Sequence, residues 1–315
     1  MNKTLHQAQQ QTRLKKRWMQ DIKPEWQLYV ILFFPLLWLI VFSYVPMYGI
    51  LISFTKYNIA NGLLDSKWIG LENFYRFFST PSAMSTVTNT VRVSLYALIA
   101  GIPCPIILAI LLNECRLLWF KKSVQMVTYA PYFISTVVLV AMMFQMFDQH
   151  NGIVNQFIKL FGFKSINFMS KRNMFRHMYV WSGVWQGTGF NAIIYISALN
   201  SVDPSLHEAA MIDGATRLQR IRYIDMPGII PTAVILFILS CGSIMNVGFE
   251  KVFLMQNSAN LRVSEVLSTY IYKMGLINLD YGYSSAVNLF NSCINLILVV
   301  FVNSIARKAG DTSLW

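Results

Sequence analysis

Long apolar stretches separated by shorter polar ones dominate the chain, and six of them fall at approximately residues 28–54, 87–114, 123–147, 178–200, 225–249 and 284–306. A bilayer core about 30 Å thick needs roughly 20 helical residues to cross it, and only a helix or a closed barrel satisfies its own backbone there. The pattern predicts an all-α membrane protein with six transmembrane helices. Gly101, Pro103 and Pro105 predict a kink or local unwinding in the second. Between the spans, Leu71, Phe74, Phe77 and Phe78, and then Ile153, Val154, Phe157, Ile158 and Phe161, predict two amphipathic helices lying in the outer interface.

Composition agrees. Of 315 residues, 55% are hydrophobic and 13% charged, about half the charge of a soluble domain, and the mean hydropathy is +0.46. The net charge of +12 lies between the apolar blocks rather than along one stripe, so it marks membrane topology and not a nucleic-acid surface. Lys and Arg are denser in the loops on the side that holds both termini, which puts the termini in the cytoplasm, with the chain multi-pass in the membrane. The chain divides into a basic tail (1–27), one membrane domain (28–306) and a cytoplasmic C-terminal tail (307–315). The first apolar run exceeds a signal-peptide core and no small-residue cleavage site follows it, so it stays attached. Cys104, Cys115, Cys241 and Cys293 form no CxxC pair, and four scattered histidines offer no metal cluster.

The stretch at 201–231, SVDPSLHEAAMIDGATRLQRIRYIDMPGIIP, is the most informative. Asp203 and Pro204 start a short helix through Ile212, Gly214 breaks it, a second helix runs from about Thr216 to Tyr223, and Pro227 re-enters the membrane at the first turn of the next span. Two short helices around a glycine corner make a rigid projection whose small alanine face admits another protein. The plainer alternative is an amphipathic loop resting on the membrane surface.

Glu208-Ala209-Ala210, Asp213-Gly214-Ala215 and Asp225-Met226-Pro227 resemble the EAA motif of binding-protein-dependent ABC importer permeases. The likeness runs through WIGLENFYRFF, APYFISTVV, Gly152 with Asn155, Trp181, Trp185 and Gly187, STYIYKMGL and the terminal SLW, and it is strongest for the maltose-permease-like sugar branch, among oligosaccharide and polysaccharide-fragment permeases. The resemblance implies the type I importer fold and a coupling loop at 201–227, in which Glu208, Ala209, Ala210, Asp213, Gly214 and Ala215 dock on a cytoplasmic ATPase dimer. It also implies a second permease subunit in a heterodimer, an extracellular solute-binding protein and an oligosaccharide substrate. The chain has no GxxxxGK[ST] phosphate loop, so it binds no cofactor itself, and ATP and Mg belong to the partner ATPase. It is a transport subunit, not an enzyme.

Polar residues inside spans are costly unless they face a cavity or another helix. Trp185, Gln186, Asn191, Ser243 and Asn246 are candidates for the substrate pathway, with Trp181 and Trp185 available to stack on sugar rings. Gly183, Gly187 and Ser240 join them because they resemble sugar-contacting positions of the maltose permease. Asn288, Asn291 and Asn295 share a helix face and fit either a pathway or contacts between helices. Five cations at 148–177 (Lys159, Lys164, Lys171, Arg172 and Arg176) suit lipid phosphates, an acidic binding protein or anionic sugars. A rhomboid-like protease lacks its nucleophile motif here, an aquaporin-like channel lacks its NPA pair, and a secondary transporter lacks buried coupling groups.

Overall fold

The computed structural model describes residues 26–60, 62–309 and 313, so the N-terminal tail and the terminal SLW lie outside the described residues, Ser313 excepted. Two compact units emerge, divided after Leu51. In the first, helix α1 (Trp26–Leu39) passes into a π turn (Ile40–Tyr44) and then a 3-10 stretch from Val45. The π turn closes with the Val45 N–H on the Ile40 carbonyl, one residue before Pro46, which has no N–H to give. None of the α1 side chains is buried, and a helix apolar all round is what a lipid-facing span requires.

The second unit opens with a two-stranded antiparallel hairpin that the all-α reading did not foresee, β1 (Thr55–Asn58) and β2 (Gly62–Trp68). Helix α2 (Glu72–Ser79) follows, and here the interfacial expectation needs correction. Phe77 is buried against Tyr270, Tyr283 and Phe290, and Asn73 Nδ2 donates to the Ser53 carbonyl at 2.9 Å. One face of α2 is part of the core; Tyr75 and Phe78 remain outside.

Six helical regions stand where the six apolar stretches were expected, with differences that have local causes. The second comprises α3 (Pro81–Gly101) and α4 (Pro103–Asn113), which meet at Ile102. Pro103 and Pro105 cannot bond the carbonyls of Ile99 and Gly101, so the interruption falls there. The third is not a straight span: α5 (Leu118–Tyr129) and a 3-10 turn (Ala130–Phe133) meet α6 (Thr136–Met146) at a 103° bend, past Pro131 and the Ser135 cap. The helix α7 (Ile153–Leu160) turns Ile153, Phe157 and Leu160 outward, as an interfacial helix does.

The fourth region, α8 (Arg172–Asn200), spans 29 residues and packs on α4, α3 and α5. At Gly189 the backbones touch: an added Cβ would run into the Thr128 carbonyl. Among the described residues, four helical regions are long and apolar enough to cross a membrane, and a fifth if the bent pair counts as one span. α8 is not among them because its glycines, Gln186 and Asn191 dilute its apolar character.

After α8 come α9 (Pro204–Ile212), α10 (Arg217–Arg220), a π turn (Ile221–Asp225) and α11 (Met226–Gly242). The fifth span therefore begins near Arg217 and ends at Gly242, not 225 to 249. Its π turn again closes one residue before a proline, the Met226 N–H bonding the Ile221 carbonyl ahead of Pro227. Short helices α12 (Phe249–Met255), α13 (Leu261–Ser264) and α14 (Leu267–Tyr272) lead to α15 (Tyr281–Ala309). Three apolar clusters, around Val252 and Phe175, around Tyr283 and Phe77, and around Ala192 and Ile229, hold the helices together.

Candidate functional site

The loop is built from local signals. Asp203 Oδ1 accepts from the Ser205 N–H at 2.9 Å, and Pro204 takes the first helical position of α9, where no N–H is needed. That bond to the charged form lowers the Asp203 carboxyl below the usual aspartate value. At the other end Gly214 adopts φ +75°, its N–H bonds the Met211 carbonyl at 3.2 Å, and the Ala215 N–H bonds the Ala210 carbonyl at 2.8 Å. This pair is a Schellman closure, which favours glycine at the left-handed position. Thr216 then caps α10 in a reciprocal box with Gln219.

The projection keeps one tether and one free side. His207 Nε2 lies 3.4 Å from Asp225 Oδ1, and Asp225 is buried at the start of the fifth span. Glu208, Ala209 and Asp213 face solvent. So do Leu206, Met211, Ile212 and Leu218, with Ile212 87% exposed. These apolar residues escaped the sequence reading, which looked only at the alanines. Uncovered apolar groups beside Glu208 are what a protein-docking surface offers.

Elsewhere in the same unit, an open cavity of about 350 Å³ is bounded by α3, α4, α8 and α11 and the turn after α11. Ser94, Tyr179, Asn191, Ser240, Ser243 and Asn246 supply its polar groups. A neighbouring cavity of about 230 Å³ is lined by Gly183, Gly187, Thr188, Asn191 and Lys251, and the two share Ala97, Gly101, Tyr179 and Asn191. Six of the eight pathway candidates, Gly183, Gly187, Asn191, Ser240, Ser243 and Asn246, therefore come together.

Gln186 and Trp185 do not. Gln186 Nε2 donates to the Ile134 carbonyl at 2.7 Å, which ties α8 to the bend of the third region. Trp185 and Trp181 line a separate apolar recess with Met142, Met143 and Met146. Trp181 Nε1 also donates to the Tyr96 hydroxyl at 2.8 Å. The reason is helical geometry: 183, 187 and 191 recur every four residues on one face, and 185 and 186 point away from it.

The asparagines of α15 serve as contacts between helices. Asn246 Oδ1 accepts from Asn291 Nδ2 at 2.8 Å and from Asn295 Nδ2 at 3.3 Å, and Asn295 Oδ1 accepts from the Met245 N–H at 3.0 Å. They fix the turn that carries Ser243 and Asn246, whereas Asn288 is exposed. The basic loop is also partly spoken for: Arg172 Nε donates to the Ala259 carbonyl at 3.2 Å and Arg176 to Asn89 Oδ1 at 3.2 Å. Ser94 and Tyr179 are cavity residues that sequence reasoning missed, and Lys251, which the sequence put with Glu250 at the border of an outer gate, joins them.

The model for "Binding-protein-dependent transport system inner membrane component" matches residues 101–310, which takes in the loop and all of the cavity wall except the α3 residues before Gly101. The chain belongs to this family. It is a multi-pass membrane permease subunit of an ABC importer, a transport component and not an enzyme. The permease is 38% identical over 301 residues, 96% of its length and 94% of the relative's, to the polygalacturonan/rhamnogalacturonan transport system permease protein YteP of Bacillus subtilis (strain 168). It is 27% identical over 280 residues (89% and 86% of the two chains) to the arabinooligosaccharides transport system permease protein AraP of the same organism. A permease chain in the crystal structure of a bacterial alginate ABC transporter, in complex with an alginate pentasaccharide-bound periplasmic protein, superposes with a TM-score of 0.87 at 33% identity, covering 94% of this chain and 99% of that one. The expected likeness to sugar permeases and to their fold holds.

Proposed function

We propose that this permease is one half of a heterodimeric pathway for oligosaccharides handed over by an extracellular solute-binding protein, with both termini cytoplasmic. A partner ATPase dimer, which binds ATP and Mg, grips the loop at Glu208, Ala209, Ala210, Asp213, Gly214 and Ala215. Closure of the ATPase draws this loop toward its counterpart on the second permease, and the helices around the cavity alternate between inward-open and outward-open arrangements. Gly183, Gly187, Asn191, Ser240, Ser243 and Asn246 form the surface along which sugar hydroxyls exchange hydrogen bonds.

The observation that carries this reading is the Schellman-closed projection with Leu206, Met211 and Ile212 uncovered beside Glu208. The relatives named above supply the substrate class, since their names specify oligosaccharides or polysaccharides. Co-purification with the products of neighbouring genes, followed by sugar-stimulated ATPase assays in lipid, tests it. Glu208→Lys, which puts a cation where the ATPase meets an acceptor, is expected to abolish uptake while leaving membrane insertion intact. Normal uptake by that variant, or sugar movement by the isolated chain without any ATPase, overturns the assignment.

A further inference from the structure

Among the described residues Arg76 pairs with Asp280 and Lys273 with Glu265, His207 lies against Asp225, and Lys251 belongs to none of these pairs. Yet Lys251 is half-buried and reaches from α12 into the smaller cavity, beside Gly183, Gly187, Thr188 and Asn191. Its Nζ donates to the Tyr179 carbonyl at 3.0 Å and lies 4.9 Å from the centre of the Tyr179 ring. A Cβ at position 183 would stand 3.3 Å from Nζ, so Gly183 gives the ammonium room to lie against α8 without shifting.

A cation withdrawn from water costs free energy unless an opposite charge accompanies it, and the protein supplies none here. An ammonium has three N–H donors, and one goes to the Tyr179 carbonyl. The smaller cavity adds the Thr188 hydroxyl and the Asn191 amide beside it, and the larger one, which shares Asn191, adds hydroxyls from Ser94, Ser240 and Ser243, groups that suit a ligand rich in hydroxyls. A compact point charge on a flexible stem fits a single carboxylate better than the doubly charged, multidentate surface of a phosphate, for which a guanidinium fork is the better match.

We infer that Lys251 is the charge-reading group of the pathway and that the permease passes acidic, uronate-containing oligosaccharides, each carboxylate in turn pairing with its ammonium. The inference rests on the oligosaccharide-importer reading above. One contact per residue of sugar is favourable enough to admit the chain and weak enough to release it. Tyr179 both anchors the ammonium and stiffens it, so that the charge is held at the cavity wall rather than swept by the substrate.

The test uses the complete transporter, with its partner permease, ATPase and binding protein, in proteoliposomes, and two probes: a defined oligogalacturonate and the same oligomer with its carboxyl groups reduced to alcohols. Lys251→Met keeps the stem and removes the charge, and is expected to lower uptake of the acidic oligomer about ten-fold, the size of one hydrogen bond to a charged group. The same variant should lose far less of its uptake of the reduced oligomer, and Lys251→Arg should retain most acidic uptake. Equal loss for both probes would show Lys251 to be a structural clip and overturn the inference. Undiminished acidic uptake by Lys251→Met would overturn it too, as would a wild-type transporter that carries only the reduced oligomer. Failure of the underlying importer reading looks different: the wild type then shows no ATP-dependent uptake of any oligosaccharide.

Discussion

The projecting loop and the polar cavity are held together in opposite ways. Every bond that shapes the loop's corner joins residues no more than five positions apart: Asp203 to Ser205, Gly214 to Met211, Ala215 to Ala210, Thr216 to Gln219. The cavity depends on partners far apart in the chain, such as Asn246 with Asn291 and Asn295, or Lys251 with Tyr179. A locally closed unit keeps its shape when the helices around it shift, whereas a cavity assembled across helices changes shape whenever they do. The first is suited to receive a push and the second to respond to one.

That contrast breaks most sharply at Gly214. Gly214→Pro forces φ to about −65° where +75° is required and deletes the N–H that closes on Met211, a loss above about 3 kcal/mol to the loop. Uptake and sugar-stimulated ATPase activity should vanish together while cavity stability, read as the thermal midpoint in detergent, stays unchanged. At the cavity, Asn246→Ala removes the acceptor of two nearly buried amides, and leaving buried donors unpaired costs about 1–3 kcal/mol. The thermal midpoint should fall in this variant with ATPase binding retained, the converse of Gly214→Pro. Gly214→Ala, with open space around the added Cβ, tests backbone strain alone and should cost the loop about 1–2 kcal/mol.

The smallest effect belongs to Asp203. Its carboxyl titrates below the ordinary value because it accepts the Ser205 N–H, so the cap is fully present above the ordinary aspartate pKa and is lost as the pH falls through the lowered folded value. Protection of the Ser205 amide from hydrogen exchange should decline over that acidic window in the wild type. In Asp203→Ala it should be low at every pH. A loop whose protection ignored both changes would not be closed by its own local bonds.

The same contrast explains what could be read from the chain. Asp-Pro, Gly214 and Thr216 act over a turn or less, so the loop was legible residue by residue. The cavity was legible only along each helix. The spacing of 183, 187 and 191 marks a face, but nothing in it shows that Lys251, beyond the end of the fifth span, folds back onto that face through Tyr179. Trp185 and Gln186 were misplaced because polarity and size were weighed there without angular position. The bend after Pro131 and the hairpin around Gly62 did leave local signals, a proline inside an apolar run and an Asn-Gly pair between short alternating stretches, which the apolar run lengths outweighed.

The contact at Gly189 has a mechanical consequence. With no side chain between the α8 backbone and the Thr128 carbonyl, the two backbones meet directly, and the contact can serve as a fulcrum about which one helix turns on the other. The arm from Gly189 to Asn200, where α8 ends just ahead of the projection, covers 11 residues or about 16 Å. A swing of about ten degrees carries its tip through roughly 3 Å, enough to turn a small angular change between two helices into a displacement the length of a hydrogen bond.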